Sequence, residues 1–278
     1  MHCQIQGIPI FYEAFGEGPP LVMLHGAYMD HHHMVREFEP LFEERSAWRR
    51  IYPDLPGHGQ TPAPDWISTH DQVLDLILQF IASVTQNARF ALAGASRGAY
   101  LARAVMHRVP SHVLGALLLC PARYLAPPAG SLPQPTALVK DDTVRADVQP
   151  HEARLFGMMV IQKREILQKA REYLLPALAL ADQSYQTRIA KNYEFSFDVD
   201  SETPTFDGPV LVVTGRQDSV VGYRAAWEMV DQYPHATFAV LDRAGHLLGL
   251  EQEGLFRALA SEWLQRVEEL AAGALGDA

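Results

Sequence analysis

The sequence predicts an α/β protein with a mostly parallel, doubly wound sheet, helices on both faces and an inserted helical segment. Three observations predict it. Short runs such as Pro20–Leu24 and Val113–Leu119 are continuously apolar rather than alternating, as strands buried on both faces must be. These runs take turns with helical patterns, the rhythm of parallel strands joined by crossover helices. The rhythm stops after Cys120 and returns at Pro209, which leaves roughly 121–207 as the insertion.

Taken in order, Ile8–Phe15 reads as a strand closed by the turn residues Gly16, Gly18 and Pro19. Pro20–Leu24 is a buried strand ending in His25 and Gly26, and 34–42 can form a helix. A short strand over 50–53 is broken by the glycines and proline of 54–59. Residues 69–85 form an amphipathic helix, because Val73, Leu76, Ile77, Phe80, Ile81 and Val84 fall at helical spacing, with Ser68 or Thr69 as its cap. A strand over 90–93, a helix from about 97 to 109 and the strand Val113–Leu119 follow.

Residues 121–150 hold Pro121, Pro127, Pro128, Pro133, Pro135 and Pro150 and carry no strand pattern. Helical stretches are expected over about 152–181, interrupted at Pro176, and over 182–193. Then come a strand over 209–213, a helix over 223–232, a strand over 237–241, a final helix over 251–270 and a frayed tail from 271. The expected division is a core of 1–120 and 208–278 with a helical cap of 121–207.

The chain has 278 residues, 48% hydrophobic and 20% charged, the composition of a packed protein and not of a disordered one. Its 23 Lys and Arg against 33 Asp and Glu leave a formal charge of −10, which argues against a general binder of nucleic acid or anionic lipid. Two cysteines, Cys3 and Cys120, are too few for a disulfide framework or a cysteine-based zinc site and fit a reducing compartment. Residues 1–5 show no basic segment leading into a long apolar core, and the apolar run 113–122 is too short to span a bilayer. A cytoplasmic protein with a small-molecule substrate is expected; oligomeric state is left open.

Gly94-Ala95-Ser96-Arg97-Gly98 places a serine on a tight turn between a predicted strand and a predicted helix. Such a turn projects the hydroxyl from the sheet, and the helix start supplies backbone N–H groups. Serine is a poor nucleophile without a base, and the base needs an orienting acid. Asp218 and His246 each follow a later predicted strand, where groups at the carboxyl ends of parallel strands can converge. A capping serine, a turn aspartate and a loop histidine are the plain alternatives, and the joint placement weighs against them.

The chain resembles the α/β-hydrolase fold superfamily in its capped, serine-nucleophile group. The resemblance rests on His25-Gly26, on Asp54-Leu55-Pro56-Gly57-His58-Gly59, on the serine turn, on Gly215-Arg216-Gln217-Asp218 and on Gly245-His246. It implies Ser96 as nucleophile, His246 as general base and acid, and Asp218 as its orienting carboxylate. It also implies an oxyanion hole from the backbone N–H groups of Arg97 and Ala27, and no cofactor. Tyr28, Val220 and Leu247 adjoin these positions and are candidate pocket walls. The implied reaction is hydrolysis of a small, mainly apolar ester, thioester or lactone through an acyl-enzyme on Ser96. Two alternatives stay open: carbon–carbon bond hydrolysis or perhydrolysis on the same groups, and a receptor-like binding module that retains them. Ala95 weighs against carbon–carbon hydrolases, which usually carry Asn there.

Other features are assigned structural roles. The consecutive Asp30, His31, His32 and His33 do not have metal-ligand spacing, so no metal is expected; one of the three histidines is expected to face the pocket. His25 is expected to shape the oxyanion loop, His58 to belong to a turn, and Cys120 to be a buried apolar residue. The Arg97 side chain has two expected courses, into the pocket or into a salt bridge or solvent beneath the serine turn. Met158, Met159, Tyr173 and Tyr185 are expected either under the cap or in its packing.

Overall fold

The computed structural model describes residues 1–43, 45, 47–122, 130–199 and 206–276, with side chains through 272. Ten strands occur among them: β1 (His2–Ile5), β2 (Ile8–Phe15), β3 (Pro20–Leu24), β4 (Arg49–Pro53), β5 (Phe90–Ala95), β6 (Val113–Leu119), β7 (Val139–Lys140), β8 (Ile161–Gln162), β9 (Val210–Gly215) and β10 (Ala236–Leu241). Eight of them form one sheet in the order β1-β2-β4-β3-β5-β6-β9-β10. The β1–β2 and β2–β4 pairs are antiparallel and every later pair is parallel. β7 and β8 make a separate parallel pair.

The first strand escapes sequence reading because its four residues carry little alternation. It is held by a two-residue hairpin turn in which Gln6 and Gly7 both have positive φ, 49° and 79°. A turn of that hand matches the twist of the flanking strands.

Residues of the central strands alternate between two cores, which is the physical content of a doubly wound sheet. In β3, Leu21 and Met23 face one side with Phe38, Phe256 and Trp263; Val22 and Leu24 face the other with Leu76, Phe80 and Leu101. All residues of β3, β5, β6 and β9 are buried, whereas β10 is half-exposed along its whole length, as an edge strand is.

The helices are α1 (His31–Phe38), α2 (His70–Thr85), α3 (Arg97–Arg108), α4 (Asp142–Ala146), α5 (Ala153–Met158), α6 (Arg164–Lys169), α7 (Leu175–Leu180), α8 (Gln183–Ala190), α9 (Tyr223–Trp227), α10 (Leu248–Glu251) and α11 (Glu253–Gly276). Thr69 and Gln72 close the start of α2 in a reciprocal capping box. The final helix is two pieces: α10 turns off directly after the histidine loop, and α11 begins at Glu253 and stays helical past the expected fraying point, with 277–278 outside the described residues.

Within 121–207 the pattern differs from the expected long helix. The break falls at 159–163, where β8 pairs with β7, and not at Pro176. Pro176 occupies the second position of α7, just after a π-helical stretch over Ala170–Leu174, so the chain remains helical through it. Residues of α4–α7 with Met159 and Ile161 pack into a core of their own that reaches Leu250. Tyr185, Ile189, Tyr193 and Phe195 instead join the main core beside α2 and α3. Pro127 and Pro128 lie outside the described residues. Among the described residues, no helix is long and apolar enough to cross a membrane.

Candidate active site

The turn between β5 and α3 is built by two glycines. A Cβ on Gly94 would stand 2.4 Å from the Gly98 carbonyl oxygen, and one on Gly98 would stand 2.1 Å from that of Leu24. With both absent, α3 closes onto the sheet and Ser96 is carried at its tip with φ 53° and ψ −116°, a costly conformation for a residue with a side chain. The Ser96 N–H donates to Leu119 O at 2.8 Å, which ties the strained residue to β6.

Asp218 and His246 arrive from the loops after β9 and β10. The Asp218 side chain is fully buried; its Oδ1 accepts from the N–H groups of Val220 at 2.8 Å and Val221 at 3.0 Å. Its Oδ2 lies 2.9 Å from His246 Nδ1, and His246 Nε2 lies 3.1 Å from Ser96 Oγ. A carboxylate only accepts, so Nδ1 holds the ring proton and Nε2 keeps a lone pair for the serine hydroxyl to donate to.

Charge and burial compete at both groups. Burial alone raises the Asp218 pKa, but His246 and the two N–H donors override it and hold the carboxyl below its usual range. Burial lowers the His246 pKa, but Asp218, with Glu37 and Glu251 farther off, raises it above the ordinary histidine value.

Another part of the cavity wall comes from the segment after β3, residues 26–29. His25 is fully buried and bonded at both ring nitrogens: Nδ1 faces Gly26 O at 2.8 Å and Nε2 accepts from Leu55 N–H at 2.9 Å. Desolvation and the neighbouring His58 keep it neutral. Asp54 braces the same segment, accepting from the His31 N–H at 2.8 Å and the Gln60 N–H at 2.8 Å. Ala27 lines the same cavity as Ser96, and the N–H groups of Ala27 and Arg97 have no backbone hydrogen bond among the described residues.

These groups surround a cavity of about 420 Å³, within the range of small-molecule sites. Ser96, His246, Ala27, Tyr28, Val220 and Leu247 all stand on its wall. Asp218 lies behind His246, and the Arg97 side chain takes neither expected course. It turns away from the cavity under α3, donating to Gln186 Oε1 at 2.9 Å and lying 2.6 Å from His58 Nε2. His58 Nδ1 faces Pro56 O at 2.8 Å, which leaves Nε2 as an acceptor for the guanidinium; burial and Arg97 both hold that imidazole neutral. Of the three consecutive histidines, His33 faces the cavity, His31 is committed to Asp54 at 2.8 Å and His32 is exposed. Met158 lines the cavity, Met159 and Tyr173 pack in the small core, and Tyr185 packs in the main one.

Among the described residues, two groups of ligand-type atoms come within 4.8 Å of one another: Asp30, His31 and His32, and Cys120, Asp218 and His246. Hydrogen bonds account for both. Asp30 caps α1 through the His32 N–H, and Asp218 is committed to the imidazole. The Cys120 thiol is pushed well above its usual pKa by burial and by Asp218, so it stays protonated and a poor ligand or nucleophile.

Glu251 is the residue sequence reading misses. It is buried at the end of α10, and its two oxygens accept from three backbone N–H groups: Gly245 at 2.6 Å, Ile161 at 3.2 Å and Val160. It therefore ties the histidine loop to β8. Nothing in its local sequence marks it, because Ile161 and Val160 stand 90 and 91 residues away along the chain. Glu251→Ala leaves three buried donors unsatisfied and is expected to cost about 2–4 kcal/mol in denaturant unfolding. It also loosens the loop that aims His246, so kcat falls about 10- to 100-fold with a smaller change in KM.

A family model described as alpha/beta hydrolase fold matches residues 19–253. The chain is 23% identical to a pimeloyl-acyl-carrier-protein methyl ester esterase of Shewanella oneidensis, over 94% of this chain and 97% of that one. It is 24% identical to a 2-hydroxy-6-oxononadienedioate/2-hydroxy-6-oxononatrienedioate hydrolase of Burkholderia vietnamiensis, over 92% and 91%. Among solved structures, an alpha/beta superfamily hydrolase from Oenococcus oeni superposes with a TM-score of 0.85 at 26% identity, covering 93% of this chain and 96% of that one.

Proposed function

Because this chain belongs to the α/β hydrolase fold family, we propose that it is a serine hydrolase that cleaves a small, mainly apolar ester, thioester or lactone through an acyl-enzyme on Ser96. The observation that carries the reading is the unbroken contact chain from Ser96 Oγ to His246 Nε2 at 3.1 Å and from His246 Nδ1 to Asp218 Oδ2 at 2.9 Å. The kinship to an esterase over nearly the full length of both chains supports the choice of bond.

His246 takes the Ser96 proton as the hydroxyl attacks the carbonyl carbon, and Asp218 stabilises the resulting imidazolium. The oxyanion is received by the Ala27 and Arg97 N–H groups, each such donor being worth about 3–4 kcal/mol in reactions of this kind. His246 returns the proton to the leaving oxygen or sulfur, and water then attacks the acyl-enzyme by the same steps in reverse. We read 121–207 as a cap, since its residues Leu155, Met158, Leu174 and Leu178 roof the cavity and would exclude water from the acyl group. A cytoplasmic location is part of the same reading.

The test is hydrolysis of p-nitrophenyl esters of graded acyl length across pH. Turnover needs a neutral His246, so kcat/KM should fall tenfold per pH unit on the acid side. Because Asp218 raises the imidazole above its ordinary value near 6.5, the half-point should lie above that pH. A profile that is flat from pH 5 to 8, or no turnover of any ester in the series, would refute the reading.

A further inference from the structure

The cavity has an open rim, and its composition is one-sided. Among the described residues of the wall, three are exposed: His151, Arg154 and Gln183. All three are polar, and all come from 121–207. The other wall residues from that segment, Leu155, Met158, Leu174 and Leu178, are apolar and buried or half-buried. Arg154 is the one arginine or lysine on the described wall. Its charge persists at any working pH. Among the described residues its guanidinium makes no hydrogen bond and no ion pair. The acids beside it in the chain are spent elsewhere. Arg171 donates to both oxygens of Glu152, at 2.7 and 2.8 Å, and the Gln149 N–H adds a third bond at 2.9 Å. Asp147 is held by Arg164 and Arg171. Glu37, the one carboxylate on the described wall, is buried, with an oxygen 3.3 Å from His33 Nε2. A cation therefore stands exposed at the rim with nothing neutralising it.

Helical spacing sets how far that charge stands from the chemistry. His151, Arg154, Leu155 and Met158 fall on one face of the turn Pro150–Glu152 and of α5, and that face lines the cavity. Its C-terminal end meets the catalytic loop: a Cβ on Gly245, next to His246, would stand 3.3 Å from Met158 O. Arg154 lies a full turn back from Met158, about 6 Å along the helix. Helical side chains lean toward the N-terminus, which carries the guanidinium farther from His246. An extended chain advances about 1.2 Å per bond, so a group bonded to Arg154 lies about five bonds or more from the carbonyl that Ser96 attacks. The planar guanidinium fork matches the two oxygens of a carboxylate. His151 adds at least one ring N–H in either tautomer, also a donor to an anion. The leucines and Met158 between rim and serine suit an apolar linker.

We propose that Arg154, with His151, is a specificity-determining anion subsite at the cavity rim, so that the preferred substrates are esters with an apolar arm ending in a carboxylate. The inference rests on the hydrolase reading for which bond is cut, but the subsite is testable without turnover. The Ser96→Ala protein is titrated by calorimetry with two matched pairs. One pair is mono-p-nitrophenyl suberate against the p-nitrophenyl ester of suberamic acid, for a carboxylate on the acyl arm. The other is 6-butyryloxyhexanoate against 6-butyryloxyhexanamide, for a carboxylate on the alcohol arm. Each pair differs only in carboxylate against carboxamide. A charge-assisted bond at a solvent-exposed rim predicts that the carboxylate member of one pair binds about 5- to 20-fold tighter. Adding Arg154→Gln to the same protein should cut that preference at least about threefold. With Arg154 intact, raising salt from about 20 to 500 mM should cut it at least about twofold, because an exposed ion pair is screened. In the unmodified enzyme the same preference should appear in kcat/KM. A preference below about fivefold in both pairs, undetectable binding of all members, indifference to salt, or a preference that survives Arg154→Gln overturns the proposal. Failure to hydrolyse any ester while the binding preference persists would instead overturn the hydrolase reading alone.

Discussion

Ser96→Ala should lower the turnover of a good p-nitrophenyl ester by about 10⁵- to 10⁶-fold, with labelling by a fluorophosphonate probe abolished. The magnitude follows from how nucleophile and base act as a unit: removing either alone removes the covalent route, and what remains is binding and the oxyanion donors. The substitution deletes one oxygen and nothing that holds the turn together. The Ser96 N–H bond to Leu119 O is a backbone bond and survives, as do the approaches that Gly94 and Gly98 permit. Alanine at φ 53° carries the same Cβ cost as serine. Unfolding should therefore shift by no more than about 0.5 kcal/mol, which separates a chemical loss from a folding loss. Stoichiometric labelling of Ser96→Ala at another residue, or residual turnover above about 1%, would remove Ser96 from the role.

What the sequence makes legible and what it hides divide along one physical line. The buried strands, the capped helix α2 and the serine turn are local statements: an apolar run, a periodicity, two glycines flanking a serine. All three are readable from neighbours in the chain. The Ser96, Asp218 and His246 placement is readable too, because each follows a strand and the parallel sheet brings strand ends together. Contacts set by side-chain reach are not. Glu251 meets Val160 and Gly245 only because α10 doubles back after the histidine loop. The Arg97 side chain finds Gln186, 89 residues away, and His58, an arrangement that no spacing rule encodes. Within 121–207 the division between a small separate core and residues that join the main one depends on how short helices stack, where an isolated proline such as Pro176 misleads. The same limit explains His33: a run of three histidines reads as one feature, yet their side chains diverge to the cavity, to Asp54 and to the exterior.

Asp218→Asn is expected to cost about 10⁴-fold in kcat near neutral pH, and its particular geometry explains why the loss should be chemical rather than structural. The introduced side chain keeps an amide oxygen that can still accept from the Val220 and Val221 N–H groups, so the loop after β9 stays closed. That oxygen is then committed, and the amide NH₂ is left to face His246 Nδ1. An NH₂ only donates, so the imidazole must turn its lone pair to Nδ1 and carry its proton on Nε2, toward Ser96. In that tautomer it cannot accept the serine proton. The same substitution removes the main charge that raises His246, so whatever activity remains should show its acid limb displaced to lower pH. Glu37 and Glu251 also bias His246 toward its charged form, but neither bonds the ring, and neither can set its tautomer. The pair of readouts separates two ways a carboxylate helps. A large loss of kcat with an unshifted pH profile would mean that orientation alone matters; a shifted profile with kcat within tenfold of normal would mean that charge alone matters and that another group orients the ring. Retention of both would displace Asp218 from the site altogether.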